Sequence, residues 1–200
     1  MKQLISFDKE NMQSVRYMPA WNRNSGTGVA GLIGLCFDIY HLNANASKWV
    51  EIGSYIGESA LIFASFDYVK RIDCVDPFVV GAKIKDKEER FKERLSYFMR
   101  SGKEKVFLHK ETSESYAKEV DDNSLDVVYI DGDHKYPSVL NDLDLWYPKI
   151  KSGGFLCGHD YSKKPKHKHV GVVQAVDEFV DFHNLEIFKK YCDNSFLIKV

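Results

Sequence analysis

Glu51, Gly53, Ser54, Tyr55, Gly57 and Ser59 fall in one short run, Val50-Glu51-Ile52-Gly53-Ser54-Tyr55-Ile56-Gly57-Glu58-Ser59. The run reads as a buried strand, a glycine-containing turn and the first turn of a helix. Backbones turn this way where they pass close to a bound nucleotide or nucleoside. Gly53 and Gly57 remove side chains where a ligand could lie against the turn, and Glu51 ends the strand. The spacing is Glu-x-Gly-x-x-x-Gly, not the Gly-x-Gly-x-x-Gly of dinucleotide sites. An acidic residue beside the turn repels a pyrophosphate. It suits a cationic, amine-bearing ligand such as S-adenosylmethionine.

Asp76, Ser113, Asp131 and Asp160 also fall at or just after the ends of predicted strands. A single acidic residue there is commonly a cap of the next helix. Glu51, Asp76, Asp131 and Asp160 together on one sheet edge are harder to read as caps. Their repulsion raises their pKa values unless a cation or hydroxyl groups lie between them. Asp76, ending the second strand, has the type and place to accept both hydroxyls of a ribose.

The elements that must position these groups alternate. Met1 to Ser25 reads as irregular, with Tyr17, Met18, Pro19 and Trp21 as packing or substrate-facing groups. Val29–Leu42 reads as an apolar helix. Strands are expected at Trp49–Ile52, Arg71–Val75, Val106–His109, Leu125–Ile130, Phe155–Gly158, Glu186–Lys190 and Ser195–Val200. Helices are expected at Glu58–Phe66, at Lys83–Met99 (with Ile84, Phe91, Leu95 and Phe98 at helical spacing), at Ser138–Trp146 after Pro137, and at Val170–Phe182. Gly153-Gly154 reads as the turn into the fifth strand. This pattern predicts an α/β fold: a Rossmann-like, doubly wound, mainly parallel seven-stranded sheet with one antiparallel strand near the edge. Residues 1–48 are expected to form a lead and a helix over the site, and residues 49–200 the binding domain, in one structural domain. Ligands of such sheets lie at the carboxyl ends of the strands, by the topological switch point.

Composition agrees with a globular chain. The 200 residues are 44% hydrophobic and 14% aromatic, with a formal net charge of -1. Global charge makes no case for nucleic acid or for an anionic membrane. No apolar run approaches a membrane span, and the first residues lack the apolar core of a signal peptide. Cys36, Cys74, Cys157 and Cys192 form no Cys-x-x-Cys pair, and three lie in apolar stretches. They read as small hydrophobes in a reducing compartment, so a cytoplasmic location is expected.

The run Glu51-x-Gly53-x-Tyr55-x-Gly57-x-Ser59 resembles the first motif of class I S-adenosylmethionine-dependent methyltransferases, particularly the catechol and caffeoyl-CoA O-methyltransferase group. Asp126-Val127-Val128-Tyr129-Ile130-Asp131-Gly132-Asp133-His134, the Pro-started helix and Gly153-Gly154-Phe155-Leu156-Cys157-Gly158-His159-Asp160 resemble a bacterial and phage family that includes sugar O-methyltransferases. The resemblance runs from about Val29 to Val200 and is more specific for the cofactor than for the acceptor. It implies S-adenosylmethionine as cofactor. Glu51 and Tyr55 would lie beside its methionine part, Ser59 would hold its carboxylate, Asp76 its ribose, and Phe78 and Ser113 its adenine. Asp131 would sit near the sulfonium, as a cofactor contact or first metal ligand. His134 falls where the catechol enzymes place a lysine acting as general base. A histidine suits that task because its unperturbed pKa is near neutrality. The bland alternative for His134 is a helix-entry residue bonded to the turn.

The expected metal ligands depart from the pattern. The catechol group uses an Asp at the fourth strand and an Asp-Asn pair after the fifth, and the sugar enzymes use Asp-Asp or Glu-Asp there. Here Asp131 and Asp160 match, while His159 stands at the third position. Magnesium or manganese is the expected cation, and a histidine shifts the preference toward manganese, iron or zinc. Without a metal, His159 is a second base or a structural residue.

Three patterns mislead. Gly26-Thr27-Gly28-Val29-Ala30-Gly31 matches a dinucleotide pattern but follows no strand. Lys163-Lys164-Pro165-Lys166-His167-Lys168-His169 reads first as a solvated loop, although it borders the predicted site. His167 and His169 in it are a weak metal signal. No Asn-Pro-Pro-Tyr, Asp-Pro-Pro-Tyr or Pro-Cys motif of DNA-base methylation is present. The expected partner is therefore a small hydroxyl-bearing acceptor, sugar-like or phenol-like, acidic if the lysine loop gathers it. A homodimer is compatible with this. The alternatives are a non-catalytic cofactor-binding regulatory or assembly protein and, disfavoured by the turn spacing, an NAD-dependent oxidoreductase.

Overall fold

The computed structural model describes residues 27–79, 86–100, 104–164 and 168–200. The expectations for Tyr17, Met18, Pro19, Trp21, Ile84, Lys166 and His167 lie outside the described residues. In chain order the elements are α1 (Thr27–Leu42), β1 (Lys48–Ile52), α2 (Glu58–Ala64), β2 (Arg71–Val75), α3 (Lys87–Arg94), α4 (Ser96–Arg100), β3 (Val106–His109), α5 (Ser113–Ala117), β4 (Leu125–Ile130), α6 (Tyr136–Trp146), a 3-10 turn (Tyr147–Lys149), β5 (Ile150–Gly158), α7 (Val170–Phe182), β6 (Ile187–Lys190) and β7 (Phe196–Lys199).

The strands form one sheet in the order β3-β2-β1-β4-β5-β7-β6. The pairs from β3 across to β5 are parallel, and β7 runs antiparallel to both β5 and β6. This is the expected doubly wound sheet, with its switch point between β1 and β4. Side-chain alternation sorts the core into two layers. Trp49, Val127, Tyr129, Phe155 and Cys157 face α1–α4. Val50, Ile52, Val128, Ile130 and Leu156 face α6 and α7. Strand β4 is buried at all six positions, which explains its apolar run from Val127 to Ile130, while the buried Asp126 is satisfied by the Ser47 and Lys48 N–H groups and Lys151.

Two local expectations change. The helix expected over Lys83–Met99 is broken at Leu95, whose φ of -98° and ψ of 9° end α3 before α4 begins. Phe91, Leu95 and Phe98 are all buried, so the break accompanies their packing and does not expose them. Gly153-Gly154 lies inside β5 and not before it. Gly153 takes a φ of +78°, and the register between β4 and β5 shifts there, the signature of a bulge. Helix α1 is packed into the core beside α2, with Leu35, Cys36 and Ile39 fully buried. The Tyr68 hydroxyl donates to the Cys36 carbonyl at 2.7 Å and pins it there.

Candidate active site

The turn after β1 is built on two left-handed glycines. Gly53 has a φ of +85°, and a Cβ there would lie 2.2 Å from the Asp131 carbonyl oxygen. Any side chain would force the turns after β1 and β4 apart. Gly57 has a φ of +77° and precedes α2, with Leu95 and Phe91 closing in on it. Between them Tyr55, also left-handed at +50°, donates its N–H to Asp76 Oδ2 at 2.8 Å. The other carboxylate oxygen of Asp76 accepts the Phe78 N–H at 2.7 Å. Asp76 thus ties the turn after β1 to the end of β2. Each of its oxygens keeps a second lone pair for a ligand hydroxyl.

Glu51 lies within β1 and is fully buried. Its Oε1 accepts the Ser59 hydroxyl. Its Oε2 has no hydrogen-bond partner among the described residues. Burial pushes the carboxyl up to about 7, outweighing the serine hydrogen bonds. Ser59 is spent on Glu51, and Ser54 donates to the Glu51 carbonyl at 3.4 Å. Phe78 is buried with its ring against Phe91, centroids 6.2 Å apart. The Ser113 hydroxyl donates to Asp142 Oδ1 at 2.5 Å and accepts the Trp146 indole N–H at 2.8 Å. Burial lifts Asp142 to about 6. The reading of the sequence passed over Asp142, which sits on a helix with nothing in its spacing to mark it.

A second group lies where β4 and β5 end. The β4–β1 ladder continues through the Asp131 N–H to the Ile52 carbonyl, and the β5–β4 ladder through the His159 N–H to the Ile130 carbonyl. These bonds set Asp131 and Asp160 side by side. Asp160 has a φ of +60°. His134 Nε2 lies 2.7 Å from Asp160 Oδ2 and 3.5 Å from Asp131 Oδ1. His159 Nδ1 is 3.6 Å from Asp160 Oδ1. His169, just before α7, brings Nε2 to 3.6 Å from Asp160 Oδ2. Its ring stacks on His134, centroids 4.0 Å apart. The contact depends on Gly171, where a Cβ would lie 2.6 Å from the Tyr136 nitrogen and 2.7 Å from the His134 carbonyl oxygen.

The electrostatics correct one expectation. Hydrogen bonds to Asp131 and Asp160 push His134 up to about 10, against its partial burial. With no cation on these carboxylates, the imidazolium form of His134 is favoured, which weakens it as a general base. Burial opposes charge on His159, yet Asp160, Asp131 and Asp193 lift it to about 9. Asp160 is held well below the usual carboxylate range: burial works against its charge, and the His134 and His159 hydrogen bonds prevail.

A family model described as a methyltransferase domain matches residues 50–161, from β1 through the β5 end. The chain belongs to the methyltransferase-domain family. The buried Glu51 oxygen beside a glycine cradle fits an ammonium-bearing ligand. An uncharacterized protein of Acanthamoeba polyphaga mimivirus is 28% identical over 116 residues, covering 56% of this chain and 51% of the relative. The methyltransferase chain therefore spans about half the length of the curated relative it matches. An O-methyltransferase from Bacillus cereus in complex with SAH superposes with a TM-score of 0.67 at 10% identity, over 100% of this chain and 94% of that one. A TDP-rhamnose 3'-O-methyltransferase of calicheamicin biosynthesis gives 0.63 at 15% identity, over 99% and 97%. Spermidine synthase from Thermotoga maritima gives 0.59 at 15%, over 86% and 59%. At such identities the likeness is one of fold, and these neighbours do not choose the acceptor.

Within the methyltransferase domain, Glu51, Gly53, Ser54, Tyr55, Gly57, Ser59 and Asp76 form one contiguous turn. Asp131, His134, His159 and Asp160 form a second group that meets the turn at Gly53. Phe78 and Ser113 border neither group as free side chains. His169 joins the second group although its sequence signal was weak. Only the packing of α7 on α6 brings it there. Among the described residues no helix is long and apolar enough to cross a membrane.

Proposed function

We propose that this chain is an S-adenosylmethionine-dependent O-methyltransferase of a small hydroxyl-bearing acceptor, sugar-like or phenol-like. The observation that carries the reading is the meeting of the two groups at Gly53 and Asp131. There a proton-handling cluster borders the turn suited to the donor. When bound, S-adenosylmethionine supplies an electrophilic methyl group. The residues of the chain do the rest. Glu51 would hold the donor's ammonium, and Asp76 its ribose. Asp131 and the His134–Asp160 pair would orient the acceptor hydroxyl. Most of the rate then comes from positioning. In the metal-free protein, where His134 is held charged, the carboxylate of Asp131 would take the acceptor proton, whereas a cation on His134 would require its neutral form. Asp131 and Asp160 also fit a divalent cation, which would lower the pKa of the bound hydroxyl.

The lysine loop supports an acidic acceptor. Lys164 and Lys168 are exposed, Lys168 preceding His169 in the chain, while Lys163 pairs with Asp177 at 2.7 Å. The test is release of S-adenosylhomocysteine when the chain is given S-adenosylmethionine and a panel of sugar, sugar-phosphate and phenolic acceptors. Turnover with one class, lost in Asp131→Asn, is the expected result. Donor binding without turnover on any acceptor would favour a cofactor-binding protein instead.

A further inference from the structure

Oxygen-only cation sites and mixed nitrogen–oxygen sites select different metals. Magnesium prefers carboxylates and water, whereas imidazole donors favour zinc, cobalt, iron and other first-row transition metals. The cluster after β4 and β5 contains two groups whose donor atoms lie within 4.8 Å of one another: His134, Asp160 and His169, and Asp131, His159 and Asp160. The first group has two imidazoles and one carboxylate. Three donors about 2.1 Å from one tetrahedral ion stand about 3.4 Å apart, so small side-chain adjustments would close this group around a cation.

We propose that His134 Nε2, His169 Nε2 and Asp160 Oδ2 form a transition-metal site, in which Asp160 is shared with the neighbouring Asp131 and His159. Two imidazole nitrogens, one 2.7 Å and one 3.6 Å away, converge on the same carboxylate oxygen. Their rings stack with an interplanar angle of 30°. The site is placed by the fold and not by local sequence. Asp160 ends β5, His134 lies in the turn before α6, and His169 is set by Gly171 pressing α7 onto that turn. The set has three protein ligands, so the remaining positions of the ion are open to the oxygen of an acceptor. Asp131 and Asp160 together balance a divalent charge. The site does not require that the chain transfer methyl groups, so each reading can fail alone.

The experiment uses the full chain, stripped with EDTA and dialysed, and titrated with Co²⁺, Zn²⁺ and Mg²⁺ by calorimetry, with the visible spectrum of Co²⁺ as a second readout. One Co²⁺ per chain is expected, displaced by Zn²⁺ and not by an excess of Mg²⁺. His169→Ala should weaken Co²⁺ binding at least tenfold, since even loss of a supporting partner around a metal ligand costs about 10–100-fold. His183→Ala, outside the cluster, should leave it unchanged. Circular dichroism checks folding, and His169→Asn serves if the alanine variant does not fold. Equal affinity in wild type and His169 variants would overturn the proposal in favour of Asp131, His159 and Asp160. So would Mg²⁺ competing on equal terms. No Co²⁺ binding at all would overturn it too and leave His134–Asp160 as an ion pair. S-adenosylmethionine binding by the same metal-free protein, measured separately, reports on the donor site whichever way the metal result falls.

Discussion

Glu51→Gln tests whether the carboxyl at the centre of the donor turn is held against its own charge. Glu51 is fully buried, and burial raises its pKa from the ordinary 4.5 to about 7. An acid whose pKa rises on folding binds its proton more tightly folded than unfolded. Between pH 4.5 and 7 the unfolded chain releases this proton while the folded chain keeps it. Stability therefore falls as pH rises through that window and levels off above it. Two and a half pH units at about 1.4 kcal/mol each amount to about 3.5 kcal/mol. Glutamine keeps the shape and has no proton to lose. The variant should match the wild type near pH 4.5 and exceed it by up to about 3.5 kcal/mol near pH 8. Urea denaturation of both forms across this range measures the difference, since the other titrating groups are common to both. The ranking should reverse for the ligand, with the wild type binding S-adenosylmethionine more tightly above pH 7, where Glu51 is ionised. A stability difference that stays constant between pH 5 and 8 would refute the reasoning, because the carboxylate would then be ionised in the fold at no cost.

Asp76→Ala should weaken S-adenosylmethionine binding by roughly tenfold or more in calorimetry, and Asp76→Asn by less, because the amide oxygen can keep one of the two backbone bonds. An unchanged affinity would remove Asp76 from the donor site. Gly171→Ala must push α7 off the His134–Tyr136 turn, because the new methyl would meet backbone atoms at 2.6 and 2.7 Å. It should cost about 1–3 kcal/mol in urea unfolding and loosen His169 from His134, and an unshifted midpoint would contradict the close approach. Neutralising Lys163, Lys164 and Lys168 should raise KM for an acidic acceptor and leave donor affinity unchanged. The wild-type KM should rise with salt as screening shortens toward about 8 Å, and a salt-independent KM would leave the loop a solvated surface.

Strand positions and the donor turn were legible because their signals are local. Buried parallel strands show as apolar runs, and glycines that must turn left-handed stand out between a strand and a helix. What escaped was set by distant packing. The break at Leu95 leaves Phe91, Leu95 and Phe98 all buried, as an unbroken helix would, so their spacing could not reveal it. The Gly153 bulge exists because β4 and β5 change register there. His169 looked like one basic-loop residue among several until α7 closed on α6. Ser113 follows β3 as its sequence position predicts, but its partners Asp142 and Trp146 lie 29 and 33 residues away and could not be read beside it. The role of His134 changed for a related reason. Its type and spacing favour a base, but a carboxylate from another strand, 2.7 Å away, keeps it charged.

Strand β7 follows β6 in the chain yet is inserted between β5 and β6. This placement imposes an order on assembly. A ribosome emits roughly 5–20 residues each second, so β6 emerges before the strand it pairs with. Until residues 196–199 arrive, β5 presents an open apolar edge through Leu156 and Cys157, the kind of edge on which nascent chains aggregate. The N–H of Tyr161, next to Asp160, also waits for the Asn194 carbonyl. The donor turn waits for none of this. The contacts described for it, with Asp76, Phe91, Leu95 and the Asp131 carbonyl, all come from earlier residues. In chain order the partners of the turn after β1 are therefore complete first, while the Tyr161 N–H beside the histidine–carboxylate group finds its partner only with Asn194.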